Sequence, residues 1–146
     1  MAVWFRDVVD ALQMLSQDDR YYYDSHLDAL VYLSVEDRGL EARDGLEEEI
    51  EEDVMGRFVR LPTYYDFNPY TFMERYVYHL PDGDLSDHLS RAIRGRGAFG
   101  RFKSELERCE RLEDWYAFEA QCYEELVLDW CQENEIAIVD NQLKKI

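Results

Sequence analysis

The chain is short of the residues that build several common kinds of site. Only three of its 146 residues are cysteine, and Cys109, Cys122 and Cys131 form no Cys-x-x-Cys pair. That excludes a zinc ribbon and a thioredoxin-like dithiol. Cys122 and Cys131 are nine residues apart, which on one helix places them about 180° apart. They read as small apolar fillers. Histidine is equally scarce. His26, His79 and His88 sit in no HExxH pattern, whereas a metal site needs three or four convergent ligands. No metal and no cofactor is expected. No apolar run approaches the roughly 20 residues that a membrane-crossing helix requires. Arg6, Asp7 and Asp10 interrupt the first fifteen residues, where a secretory leader would carry an unbroken apolar stretch. A cytoplasmic protein is expected. Basic residues are outnumbered, 16 Lys+Arg against 33 Asp+Glu, giving a net charge of −17. Such a chain is repelled by anionic membranes, and the balance disfavours nucleic acid as a partner. Neither a G-x-S-x-G motif nor a recognisable setting for a catalytic cysteine occurs. No catalytic residue is singled out, and an enzyme is not the leading expectation.

What is present points to an ordered protein. The apolar share is 47% and the aromatic share 14%, enough to drive folding. The length suits one domain, 1–146, containing an acidic connector over 40–54. Residues 3–17 space Val3 or Trp4, Val8, Ala11, Leu12 and Leu15 by threes and fours, which predicts an amphipathic helix. Two Tyr/Val/Leu-rich runs between Arg20 and Leu33 flank the polar segment Asp24–Asp28 and predict a hairpin with a four- or five-residue loop. Ser34 with Asp37 marks a helix start. Residues 36–54 are dense in charge, and the run Glu47–Asp53 sets like charges four apart, so poor order is expected there. Arg57–Leu61 alternates and stops at Pro62, which predicts a short third strand. Asn68-Pro69 opens a helix over 70–79, and Pro81-Asp82-Gly83 breaks it. Further helices are expected from Asp84 or Ser86 to Gly95, over 98–110 with Phe99, Phe102 and Leu106 aligned, and over 112–133 with a stripe of Trp115, Phe118, Cys122, Leu126 and Trp130. Residues 135–139 read as a terminal strand. The expected class is α+β: a small antiparallel sheet near the N-terminus and about four helices in the C-terminal half, with a core rich in aromatic residues.

One stretch reverses the sign of the charge. Arg91–Ser104 reads RAIRGRGAFGRFKS and carries five of the 16 basic residues with no acid. Arg91, Arg94, Arg96, Arg101 and Lys103 surround a glycine-containing turn that leads into a helix start. The first amides of a helix lack intrahelical partners, and its dipole favours negative charge at that end. Gly97 allows close approach to the backbone, and arginine adds charge-assisted bonds to phosphate or carboxylate. The candidate anion-binding set is therefore Arg91, Arg94, Arg96, Gly97, Arg101 and Lys103. The bland alternative makes Gly95 a helix cap and ties the arginines to the acidic run or to Glu74, Asp84 and Asp87. Gly95, Gly97 and Gly100 spell G-x-G-x-x-G, but that fingerprint follows a strand, and the residues before it read as a helix. The eleven tyrosines read as core and rim, with Tyr22 opposite in face to Tyr21 and Tyr23.

The stretch Ala92–Phe99 with Arg101-Phe102-Lys103 resembles Uncharacterised Protein Family 0158 of bacteria. Trp115-Tyr116-x-Phe118 and Asp129-Trp130-Cys131-x-Glu133-Asn134 are similar to it too, as is the order of an N-terminal helix, a Tyr-rich hairpin ending in Leu33-Ser34, an acid-rich middle, and Leu61-Pro62 before an aromatic helix. The resemblance implies one intact bacterial domain and supplies no activity. Gly100 stands where relatives are expected to carry a longer, often basic residue, which makes the third glycine incidental.

Three readings follow. The first is a non-enzymatic binding or adaptor module whose Arg/Gly segment recognises an anionic group: a phosphate-bearing ligand, a nucleic-acid strand or an acidic protein segment. The second is an interaction module whose acidic surface meets a basic partner, the arginines being structural. The third is an enzyme acting on a phosphorylated small molecule. Arg94, Arg96 and Arg101 exposed around a pocket, or holding a sulfate, favour the first, arginines tied to carboxylates of the same chain the second, and a pocket of carboxylates or histidines beside them the third.

Overall fold

Three consecutive tyrosines flanked by arginine and aspartate favour extended backbone, and they form the central strand of a small sheet. The computed structural model describes residues 1–34 and 45–139. Its elements in order are β1 (Ala2–Trp4), α1 (Phe5–Gln13), β2 (Asp19–Asp24), β3 (Ala29–Ser34), α2 (Leu46–Glu51), β4 (Phe58–Arg60), α3 (Tyr64–Phe67), α4 (Tyr70–His79), α5 (Asp84–Ala92), α6 (Ala98–Arg108), α7 (Leu112–Glu133) and β5 (Ala137–Val139). The class is α+β, with the longer helices in the C-terminal half. No described helix is long and apolar enough to cross a membrane. The chain forms two compact units, Met1–Phe67 with Tyr123–Ile146, and Asn68–Cys122.

In the first unit β2 pairs antiparallel with β3 on one side and β4 on the other, with Tyr22 opposite both Val31 and Arg60. The hairpin loop is the four residues 25–28. The Asp24 carboxylate accepts the His26 N–H at 2.9 Å, and Asp28 takes a left-handed φ of 49°, which aspartate tolerates at a turn. The Tyr23 ring is fully buried, while Tyr21 and Tyr22 are half-buried. The Tyr23 hydroxyl accepts the Ala2 N–H at 3.1 Å and donates to Asp28. Trp130 donates its indole N–H to the Arg60 carbonyl at 2.9 Å, tying α7 to the sheet. Val8, Val9, Leu12, Leu33, Leu61, Val127 and Cys131 are buried in this unit.

Two expectations change here. The helix expected over 3–17 is shorter, because Ala2–Trp4 pairs in parallel with Ala137–Val139, with Val3 opposite Ile138. The apolar side chains of Val3 and Trp4 fit the helical period, but their backbone groups find partners in a segment at the far end of the chain. After α1 the Asp19 carboxylate accepts both the N–H and the hydroxyl of Ser16 (3.0 and 2.9 Å), which fixes a turn instead of a further helical turn. The acidic run departs from the expected lack of order in its described part. Leu46–Glu51 is helical, with Glu49 paired to Arg57 at 3.3 Å, and Asp53 accepts the N–H groups of Arg57 and Phe58. Ser34 closes β3; the helix expected to follow it lies outside the described residues, as does the 36–44 part of the charge-dense run.

The second unit is helical. Asn68 accepts the Tyr70 N–H through its side chain at 3.2 Å, and Pro69 stands before the first helical residue of α4. Tyr76, Phe102 and Trp115 meet edge to face, with ring centroids 4.9–6.0 Å apart, the arrangement their quadrupoles favour. On α6 it is Ala98, Phe102 and Leu106 that are buried, four residues apart, while Phe99 is exposed. On α7, Trp115 and Cys122 are buried and Phe118 half-buried.

Candidate anion-binding surface

The sign-reversed stretch folds as the end of α5, a five-residue turn and the start of α6. Gly95 (φ 75°) and Gly97 (φ 77°) both adopt the left-handed backbone that side chains resist. At Gly97 space is limiting too, since a Cβ there would lie 3.1 Å from Nη1 of Arg101.

Arg101 reaches back over this turn. Its Nε donates to the Ala92 carbonyl at 3.0 Å, Nη1 donates to the Arg96 carbonyl and Nη2 to the Arg94 carbonyl. The last carbonyls of a helix have no intrahelical partner. One guanidinium fork therefore caps the C-terminal end of α5 and fixes the turn. Of the expected anion-binding set, Arg101 is engaged with backbone rather than turned to a ligand.

The others are placed differently. Arg91, Arg94, Arg96 and Lys103 are all exposed. Arg91 Nε makes one long bond, 3.3 Å, to the Asp87 carbonyl. Arg94, Arg96 and Lys103 enter no ion pair among the described residues, so neither Glu74, Asp84 nor Asp87 neutralises them. The nearby acid on α6, Glu105, is committed elsewhere. It pairs with Arg108 and stands 3.6 Å from Nδ1 of His88, and the Arg108 guanidinium holds its carboxyl below the usual range. Burial raises the Glu119 carboxyl on α7, against the pull of Lys103.

The start of α6 adds to the positive potential. Its N-cap is Gly97, no side chain caps it, and its first turn holds no acid. Its leading amides and the positive end of its dipole coincide with Arg96. None of the five basic side chains lines the cleft of about 680 Å³ bounded by Glu74, Tyr78, Asp82, Ser86 and Ser90, or the one of about 410 Å³ at the start of α7. The basic residues lie on an open turn, a shape that suits an extended chain better than an enclosed small molecule.

Among the described residues no group of three or more His, Cys, Asp or Glu could hold a metal ion. The sequence reading missed Arg111 and Asp114, which share a cleft with Tyr76 and His79. The two pairs lie on different elements, and no linear spacing connects them.

No curated protein and no solved structure matches the chain significantly. A family model does, over residues 1–145, the whole length apart from the last residue. The agreement with the Arg/Gly stretch and the tryptophan-bearing helix is thus carried by the entire chain: it belongs to the uncharacterised protein family UPF0158.

Proposed function

We propose that this protein is a cytoplasmic, non-enzymatic binding module that docks an acidic protein segment on the α5–α6 turn, through Arg94, Arg96 and Lys103, with Arg91 at the edge. The observation that carries the reading is the absence of any ion pair to these three cations among the described residues, in a chain with twice as many acids as bases. An internally satisfied structural cluster would be expected to use the abundant carboxylates. Arg101 contributes by holding the turn, so that Arg94 and Arg96 project from a fixed backbone.

Net charge and local charge act over different distances. At physiological salt the Debye length is about 8 Å, so the island is felt by a partner at contact while the −17 total is largely screened. The total slows approach of any polyanion and makes phosphate-dense nucleic acid the poorer partner. The open shape argues against a lone phosphate.

Fluorescence anisotropy with a labelled ten-residue glutamate peptide tests the reading, with labelled oligo-dT and inorganic phosphate as competitors. The peptide binds, salt weakens it, and Arg96→Glu weakens it about tenfold at an unchanged melting temperature. Equal binding by wild type and Arg96→Glu contradicts the reading. Stronger binding of oligo-dT than of the peptide moves the assignment to nucleic acid. Binding of a ten-residue lysine peptide in place of the glutamate peptide favours a basic partner on the acidic surface.

A further inference from the structure

Away from the basic turn, a cleft of about 410 Å³ in the Asn68–Cys122 unit gathers Tyr76, His79, Arg111, Asp114, Phe118 and Gln121. The chain builds it from two local devices. Tyr76 and His79 are one turn apart at the C-terminal end of α4. Arg111 is set at the start of α7 because Glu110 takes a left-handed φ of 58° and the Arg111 N–H closes α6 onto the Leu106 carbonyl at 2.8 Å.

The polar groups are linked. The Tyr76 hydroxyl donates to Oδ2 of Asp114 at 2.6 Å, and Nη2 of Arg111 stands 3.4 Å from the same oxygen. Burial and the Asp114 contact push the Tyr76 phenol above its ordinary value, so it remains a donor. The guanidinium also meets the Tyr76 hydroxyl, so Tyr76 and Asp114 are its two polar partners in the cleft. Nε of Arg111 is buried and has no hydrogen-bond partner among the described residues, a costly condition for a charged donor. The apolar side of the cleft is Phe118, with Leu80, Pro81 and Ala117. The Phe118 ring is fixed by Tyr76 (5.4 Å) and His79 (5.9 Å), with Arg75 5.9 Å from its centroid.

We propose that this cleft binds a small monoanionic carboxylate carried on an apolar ring. The guanidinium fork matches a planar carboxylate in two-pronged fashion. Phe118, Leu80 and Pro81 accept the ring, and Gln121 and His79 supply hydrogen bonds at the rim. The Asp114 carboxylate beside Arg111 repels a second negative charge, which selects a monoanion over a phosphate dianion. The volume lies near the lower end of the range for small-molecule sites, about 300–1,000 Å³, and fits a single ring with a short substituent. This site is separate from the basic turn and does not depend on it.

Sodium benzoate is the probe. Titrated into ¹⁵N-labelled protein, it produces saturable shifts of the Arg111 Nε–H and of the Ala117 and Gln121 amides. Arg111→Gln weakens binding by at least about tenfold. Ala117 is exposed on α7, so Ala117→Trp fills the cleft without disturbing the fold; it abolishes the shifts at an unchanged melting temperature. Phenylphosphate above its second pKa of about 6 and benzylamine each bind at least about tenfold more weakly than benzoate. The shifts persist in Arg94→Glu/Arg96→Glu, which separates this site from the basic turn. Benzoate that leaves these resonances unmoved at about 10 mM, shifts that survive Ala117→Trp, or benzylamine that matches benzoate overturns the proposal.

Discussion

Arg57 grips the buried carboxylate of Asp24 with both arms of its guanidinium, Nε to Oδ1 at 2.9 Å and Nη2 to Oδ2 at 2.8 Å. Asp24 is 1% exposed and ends β2, while Arg57 precedes β4, so the pair locks the third strand to the hairpin. Removing one partner strands the other. Arg57→Ala is expected to cost about 3 kcal/mol, or about 6–12 °C in melting temperature. Differential scanning calorimetry at neutral pH checks it, and a shift below about 2 °C would place the hold on β4 elsewhere.

The same pair sets an acid sensitivity. The Arg57 hydrogen bonds, against the effect of burial, hold the Asp24 carboxyl below the ordinary carboxylate range. Asp53 and Asp66 are lowered by the backbone N–H groups of Phe58 and Thr63. Asp19 is pushed up by burial but pulled lower on balance by Tyr32 and Ser16. Each folded-state value lies below its unfolded one, so in acid the unfolded chain binds more protons. The stabilisation is complete above the unfolded value of about pH 4 and is lost as the pH falls through the folded values. Urea midpoints measured across that window should drop steeply for the wild type and less steeply for Asp24→Asn.

Arg101 and its neighbours should separate by readout. Arg101→Gln removes the cap on α5 and lowers the melting temperature by about 2–4 °C, as expected for about 1 kcal/mol. Arg94→Glu and Arg96→Glu change it by less than about 0.5 kcal/mol, the range of ordinary surface substitutions. Thermal denaturation of the three variants decides this, and equal destabilisation by all three would make the whole cluster structural.

The thiols should react unequally. Burial pushes Cys131 up to about 11, and both Cys131 and Cys122 are buried, whereas Cys109 is half-buried at the end of α6. The thiolate is the reacting form. Labelling the native protein with a thiol reagent at about pH 8 should therefore modify Cys109 first, with Cys122 and Cys131 following only on unfolding. Mass spectrometry of the digested product reads the order.

Local patterns in the sequence recovered much of the fold. The stripe through Trp115, Cys122 and Trp130 set the bounds of α7, because helical period is a property of neighbouring residues. Asn68-Pro69 and Pro81-Asp82-Gly83 bounded α4 for the same reason. The β1–β5 pair was not legible as a pair: three apolar residues at the N-terminus fit a helix equally well, and their partner strand lies at the other end of the chain. The basic turn was visible as a reversal of charge, but the division of labour within it was not. Whether an arginine faces solvent or folds back onto carbonyls depends on the path of the turn, and the two left-handed glycines set that path. The Arg111–Asp114 cleft required α4 and α7 to be brought together, and neither helix signals it alone.

Mapping where an acidic chain touches the protein tests the central claim most directly. In ¹⁵N-labelled protein titrated with the ten-residue glutamate peptide, the amides of Gly95 and Gly97 and the side chains of Arg94 and Arg96 should shift first and furthest. Reversing Arg94, Arg96 and Lys103 to glutamate should erase those shifts while the rest of the spectrum keeps its dispersion. Peptide-induced shifts that centre elsewhere, or that persist in the triple variant, would contradict the account.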